Sequence, residues 1–209
     1  MAPRRSLYGV HPGVAMTRDW IAKLPAKTGR SLEQWLELIK TSGPRTEKER
    51  LEWLKSKHGL GTNTAGWIAA RAQGKGAEDS DPEAYLEAAA GYVEAMYSGA
   101  KSRLRPMYEE LLQLGLALGG DVKACPGKTS VPLYRKHVFA QIKPSTQTRI
   151  DLGLALGKSK TPRRLLATGG LAKGDRITHR IPIASPKDID AEVRRWMKTA
   201  YAMDGAGPG

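Results

Sequence analysis

The chain has 209 residues, 40% of them hydrophobic, with 34 Lys or Arg against 21 Asp or Glu and a formal net charge of +13. That length suits one large domain or two small ones, and that charge points to polyanionic partners or to a surface that is basic only for solubility. The single cysteine, Cys125, excludes an intramolecular disulfide framework and a Cys-rich zinc site, and no apolar run reaches the roughly 18 residues that span a membrane. The first residues, Met1–Gly13, carry no apolar stretch of signal-peptide length, so a cytoplasmic protein without a membrane partner is expected. Both tails, Met1–Pro12 and Asp204–Gly209, lack periodicity and are expected to be loose.

The front third reads as helices. Val14, Ile21 and Leu24 stand at helical spacing over Val14–Leu24, and Pro25 is expected to stop that helix. Ser31-Leu-Glu-Gln34 and Thr46-Glu-Lys-Glu49 have capping-box form, and each precedes an apolar stripe. A fourth helix follows the turn His58-Gly-Leu-Gly61 through Ala65, Trp67, Ile68 and Ala72. Four of the five tryptophans (Trp20, Trp35, Trp53, Trp67) fall here, about one per helix, as expected of a small shared core. The stretch Ala77–Asp81 is an acidic linker.

Beyond it, Asp81-Pro82 opens a helix through Val93 and Met96, and a mostly buried helix spans Leu104–Leu118. Alternation with period two then takes over in Lys128–Tyr134, Lys136–Lys143, Gln147–Leu156 and Arg176–Ile183, with Val122–Cys125 as a fifth short strand. Thr161-Pro162 is expected to start a short helix through Leu166. Ser185-Pro-Lys-Asp188 is expected to cap a last helix containing Val193, Met197 and Ala200. The fold class is therefore α+β. A helical domain of about four helices (residues 8–76) and a linker (77–81) precede an α+β domain (82–203), whose antiparallel sheet of four to five strands packs on helices.

These segments resemble known families. Lys27–Trp35 and His58–Ala65 lie in a region, from about Tyr8 to Gly74, that resembles the bacterial domain-of-unknown-function family 4287. Phe139–Pro144, Asp188–Asp190, Trp196 and Ala200-Tyr201 lie in a region, from about Asp81 to Tyr201, that resembles family 5655. More distantly, the order helix, strand meander, helix is similar to YdhG-like proteins, some regarded as iron chaperones. That similarity implies a compact α+β domain and the alternative of a small-ligand or metal (iron) binding module.

The charge is concentrated. Val122–Arg180 holds thirteen Lys or Arg and two acids, Asp151 and Asp175, an excess of +11 out of +13. Side chains alternate across a strand, so Ile150, Leu152 and Leu154 face inward and Asp151 outward. By the same parity Arg176 and Arg180 share a face with Arg149; such a cluster of guanidinium forks suits phosphate, and the alternative is a solvated outer face with Asp151 paired to a neighbouring Arg. Lys158, Lys160, Arg163, Arg164 and Lys173 stand on the intervening loops. Gly59-Leu60-Gly61, followed by Ala65, is similar to the helix-hairpin-helix motif, in which a glycine turn offers backbone N–H groups to a phosphate. Thr62 and Asn63 replace the basic residue usual after the second glycine. Candidate metal ligands are Cys125, His137, His179 and Asp151, but both histidines share parity with apolar residues and are expected to be buried and hydrogen-bonded. No nucleophile elbow, phosphate loop or dinucleotide fingerprint is present. The expectation is a non-enzymatic protein without a cofactor that binds a polyanion, most simply nucleic acid without sequence specificity. In an adaptor alternative, the helical domain docks a protein partner.

Overall fold

The computed structural model describes residues 7–159 and 162–205. Two compact units are present: Val10–Leu86, and a second built from Glu87 onward together with the short segment ending at Gly9.

The first unit is helical: α1 (Pro12–Ala22), α2 (Leu24–Thr28), α3 (Leu32–Ser42), α4 (Glu47–His58) and α5 (Thr62–Arg71). Pro25 does more than end a helix. It sits in the first turn of α2, where its missing N–H would have no partner in any case. Both expected capping boxes form, at Ser31 with Gln34 and at Thr46 with Glu49. Gly59, at φ 67°, ends α4 in the left-handed region, with its N–H on Lys55 O and that of Leu60 on Leu54 O. The chain can then reverse into α5. The core is small: Leu24, Leu32, Trp35, Ile39, Leu54, Leu60, Ala65, Ile68 and Ala69. Trp35 is the largest of these side chains and 1% exposed, with its Nε1–H donating to Thr28 Oγ1 at 2.9 Å. Trp20, Trp53 and Trp67 are only partly buried against this core.

The second unit is a sheet on helices. Helix α6 (Pro82–Met96) contains the division between the units, and α7 (Arg105–Leu116) follows a 3-10 turn, Gly99–Leu104. The strands are β1 (Lys123–Ala124), β2 (Val131–Tyr134), β3 (Val138–Pro144), β4 (Ile150–Leu154), β5 (Leu166–Ala167) and β6 (His179–Ile183), and α8 (Ala191–Gly205) closes the unit. They pair antiparallel in the order β1-β2-β3-β4-β6-β5. Helices α7 and α8 both pack on β3, and the apolar parity of β4 and β6 feeds this core: Ile150, Leu152, Leu154, Ile181 and Ile183 are fully buried.

Four sequence expectations are corrected here. The short helix expected at Thr161–Leu166 does not form at its described end. Leu166 and Ala167 instead make the edge strand β5, paired with Arg180 and His179, because ladder hydrogen bonds to β6 satisfy their backbone. The box at Ser185 and Asp188 caps a 3-10 turn, whereas α8 is capped by Asp190, whose Oδ1 accepts from the N–H groups of Glu192 and Val193. The described parts of the two tails, residues 7–12 and 204–205, are more tied down than expected. Tyr8 and Tyr108 share a hydrogen bond through their hydroxyls at 3.2 Å, and the Gly9 N–H donates to Ala124 O at 2.9 Å. At the other end, Asp204 is 5% exposed within α8. The remaining residues of both tails, 1–6 and 206–209, lie outside the described residues. Finally, β6 begins at His179, so the parity argument that carried Arg176 onto its outer face does not apply.

Candidate functional site

On the outer face of the sheet, Asp151 of β4 stands in register between Lys143 of β3 and Pro182 of β6. Arg149 Nε lies 3.0 Å from Asp151 Oδ1, Arg180 Nη1 lies 3.0 Å from Oδ2, and Ser145 Oγ donates to Oδ2 at 2.7 Å. Two guanidinium groups therefore share one carboxylate. The structure brings Arg149 and Arg180 together as the alternation predicts, but already partly neutralised.

Arg176 is not with them. Its Nη2 donates to Asp204 Oδ1 at 2.7 Å. Asp204 also accepts from the backbone N–H groups of Lys136 and His137, both 2.9 Å from Oδ2, and from His137 Nδ1 at 3.0 Å. Burial opposes the Asp204 charge. The backbone and side-chain hydrogen bonds from His137 and Lys136, with the Arg176 charge, outweigh it and hold the carboxyl below its ordinary pKa. His137, expected to be buried, has a side chain 58% exposed, because it lies outside β3 and only its Nδ1 side faces Asp204. His179 is buried as expected, with Nδ1 and Thr178 Oγ1 2.8 Å apart.

The loop set also divides. Arg164 pairs with Asp190 at 2.5 Å and also contacts Glu192 and the Asp188 carbonyl. Arg135 pairs with Asp121 at 2.8 Å and lies over the Tyr201 ring. Among the described residues of Val122–Arg180, Arg163 is the one arginine without an ion pair. The lysines behave oppositely: Lys123, Lys128, Lys143, Lys158 and Lys173 are exposed, and none is in an ion pair among the described residues. Lys160 lies outside the described residues. The division has a chemical reason. A planar guanidinium is weakly hydrated and matches a carboxylate with two N–H groups, whereas an ammonium is a compact, strongly hydrated charge that keeps its water.

In the helical unit, Gly61 is the N-cap of α5 and offers no side-chain oxygen to the first-turn N–H groups. Gly59 stands in the left-handed region just before it, where it ends α4. No basic side chain follows the second glycine.

Cys125 is 1% exposed, and burial pushes its thiol up to about 12, outweighing the nearby Lys123. Its alkylation by iodoacetamide at neutral pH is therefore expected to require unfolding. Mass spectrometry of native and urea-treated protein checks this, and rapid native labelling would contradict it. Among the described residues, no group of three or more His, Cys, Asp or Glu converges as metal ligands. No helix among them is long and apolar enough to cross a membrane.

One feature escaped the sequence reading. Lys101, from the 3-10 turn before α7, lines a groove together with Lys128 and Lys143. No linear signal connects Lys101 to the basic stretch, which begins at Val122.

The family model described as Domain of unknown function (DUF5655) matches residues 93–204, and the one described as Domain of unknown function (DUF4287) matches residues 17–74. Both matches fall in the order that the quoted segments imply. Comparison with curated proteins and with solved structures returned no match.

Proposed function

The chain belongs to the DUF5655 family, whose model covers more than half of it, and from the charge distribution of this member we propose a non-enzymatic binding protein that engages a polyanion. The observation that carries the reading is the sorting of basic residues. Acids take up Arg135, Arg149, Arg164, Arg176 and Arg180, while Lys158, Arg163 and Lys173 on the connection from β4 to β6 are exposed and unpaired among the described residues. In a cytoplasmic setting the abundant polyanion is nucleic acid. Ammonium groups on loops suit its phosphates without reading bases, so contacts would position the chain and carry no sequence preference. The turn Gly59–Gly61 would add backbone N–H groups to the same kind of contact.

Fluorescence anisotropy with a labelled duplex tests this. Affinity is expected to fall steeply as salt rises. The variant K158E/R163E/K173E should weaken binding at least about tenfold and flatten the log–log salt slope by about 3, near one per lost phosphate contact. Asp151→Asn should act in the opposite direction, since it releases Arg149 and Arg180. Absence of duplex binding at low salt overturns the reading.

A second reading, docking of a protein partner by the helical unit, has one observation in its favour. A cleft of about 300 Å³ lined by Met16, Trp20 and Trp67 leaves aromatic and thioether surface open to solvent, with Met16 71% exposed. The metal-binding alternative has no converging ligand set behind it among the described residues.

A further inference from the structure

We propose that the groove lined by Lys101, Lys128 and Lys143 binds a small phosphorylated molecule of mononucleotide size, with its phosphates on the three ammonium groups. This inference concerns a different part of the second unit from the β4–β6 connection and stands without the nucleic-acid reading.

The groove has a volume of about 580 Å³, within the roughly 300–1,000 Å³ of small-ligand sites. Its three lysines come from three separate elements: the 3-10 turn Gly99–Leu104, the connection from β1 to β2, and β3. Among the described residues no Asp or Glu lines it. The carboxylates nearest in register or sequence are already engaged, Asp151 by Arg149 and Arg180, and Glu94 by Arg105 at 2.9 Å. Three like charges facing one groove repel each other, and a phosphate dianion relieves that repulsion.

The walls are held in place before any ligand arrives. Lys101 Nζ donates to Pro144 O at 2.9 Å, and Arg103 Nε donates to Gln147 O at 3.1 Å, so the 3-10 turn is tied both to the end of β3 and to the β3–β4 connection. The first of these bonds fixes one ammonium and leaves it two further N–H donors. Met96, 7% exposed, and the buried Pro144 add apolar lining, and Thr129 adds a hydroxyl. Charged rim, hydroxyl and apolar lining together fit a molecule with a phosphate end and a less polar body.

Isothermal titration of the full chain with inorganic pyrophosphate, AMP and ATP, and with adenosine as the uncharged control, tests the proposal. Pyrophosphate and the nucleotides are expected to bind more tightly as phosphate charge increases, and adenosine is not. K128A/K143A should weaken binding at least about tenfold, one decade or more for two lost charge-assisted contacts. Both side chains are exposed, so the fold should persist, and circular dichroism verifies it. If that variant does not fold, Lys128→Ala alone serves the same purpose. K158E/R163E/K173E should bind these ligands like the parent chain, which separates this site from the proposed duplex surface. A 5′-phosphorylated single strand distinguishes the source of the phosphate. Strand binding that depends on Lys128 and Lys143, without binding of pyrophosphate or nucleotide, overturns the small-molecule assignment. Absence of binding by every probe, equal binding of adenosine, or full binding by K128A/K143A also overturns it.

Discussion

Asp204→Ala is expected to destabilise the sheet-bearing unit by about 3 kcal/mol, from the range of 3–5 kcal/mol for breaking a buried charge pair. The side chain is 1% exposed and takes hydrogen bonds from two backbone N–H groups, from His137 Nδ1 and from Arg176. Its removal leaves the Lys136 and His137 amides without their partner. The lower end of the range applies because the Arg176 and His137 side chains, 46% and 58% exposed, can turn to water. The same carboxylate makes stability depend on pH. Its folded pKa lies below the unfolded value of about 3.9, so its contribution is present above that value and is lost as pH falls through the folded one. Asp204→Asn should flatten the acid limb of a stability curve measured by urea unfolding at successive pH values. An unchanged acid limb would show that Asp204 is not the group responsible.

Trp35→Ala is expected to cost the helical unit about 3–5 kcal/mol, the usual range for deleting a buried tryptophan. Trp35 is 1% exposed in a core of nine buried residues, so the cavity cannot be filled without moving α3. The substitution also removes the donor to Thr28 Oγ1, and with it the tie from α3 to α2. Hydrogen exchange over Leu32–Arg71 in the full chain should show lost protection, while Trp53→Ala, on a partly buried ring, should lose less. Equal losses in the two variants would contradict the role given to Trp35.

Much of the architecture was legible because its signals are local. The boxes at Ser31 and Thr46 each bring a hydroxyl to an N–H three residues on, and such bonds form wherever the helix starts. The alternation of Ile150, Leu152 and Leu154 gave the buried face of β4 for the same reason, since successive side chains point to opposite faces. Where locality failed, the reading failed with it. The parity that puts Arg176 on the outer face holds only inside a strand, and the strand starts three residues later. Leu166–Ala167 became an edge strand because β6, twelve or more residues on, supplied its ladder partner.

The candidate surface was less legible than the fold. Composition and spacing by themselves determined that this is an α+β protein with a helical front and that nearly all its excess charge lies between Val122 and Arg180. Which of those charges is available for a partner was decided only by tertiary structure. Asp151 meets Arg180 across 29 residues and Asp204 meets Arg176 across 28, pairings that exist only once β4, β6 and α8 are assembled. Folding therefore paired the arginines of that stretch with acids, Arg163 excepted, left the lysines exposed, and added Lys101 from outside the basic stretch. Charge is a property of the sequence, but its pairing is a property of distance, and distance is set by the fold.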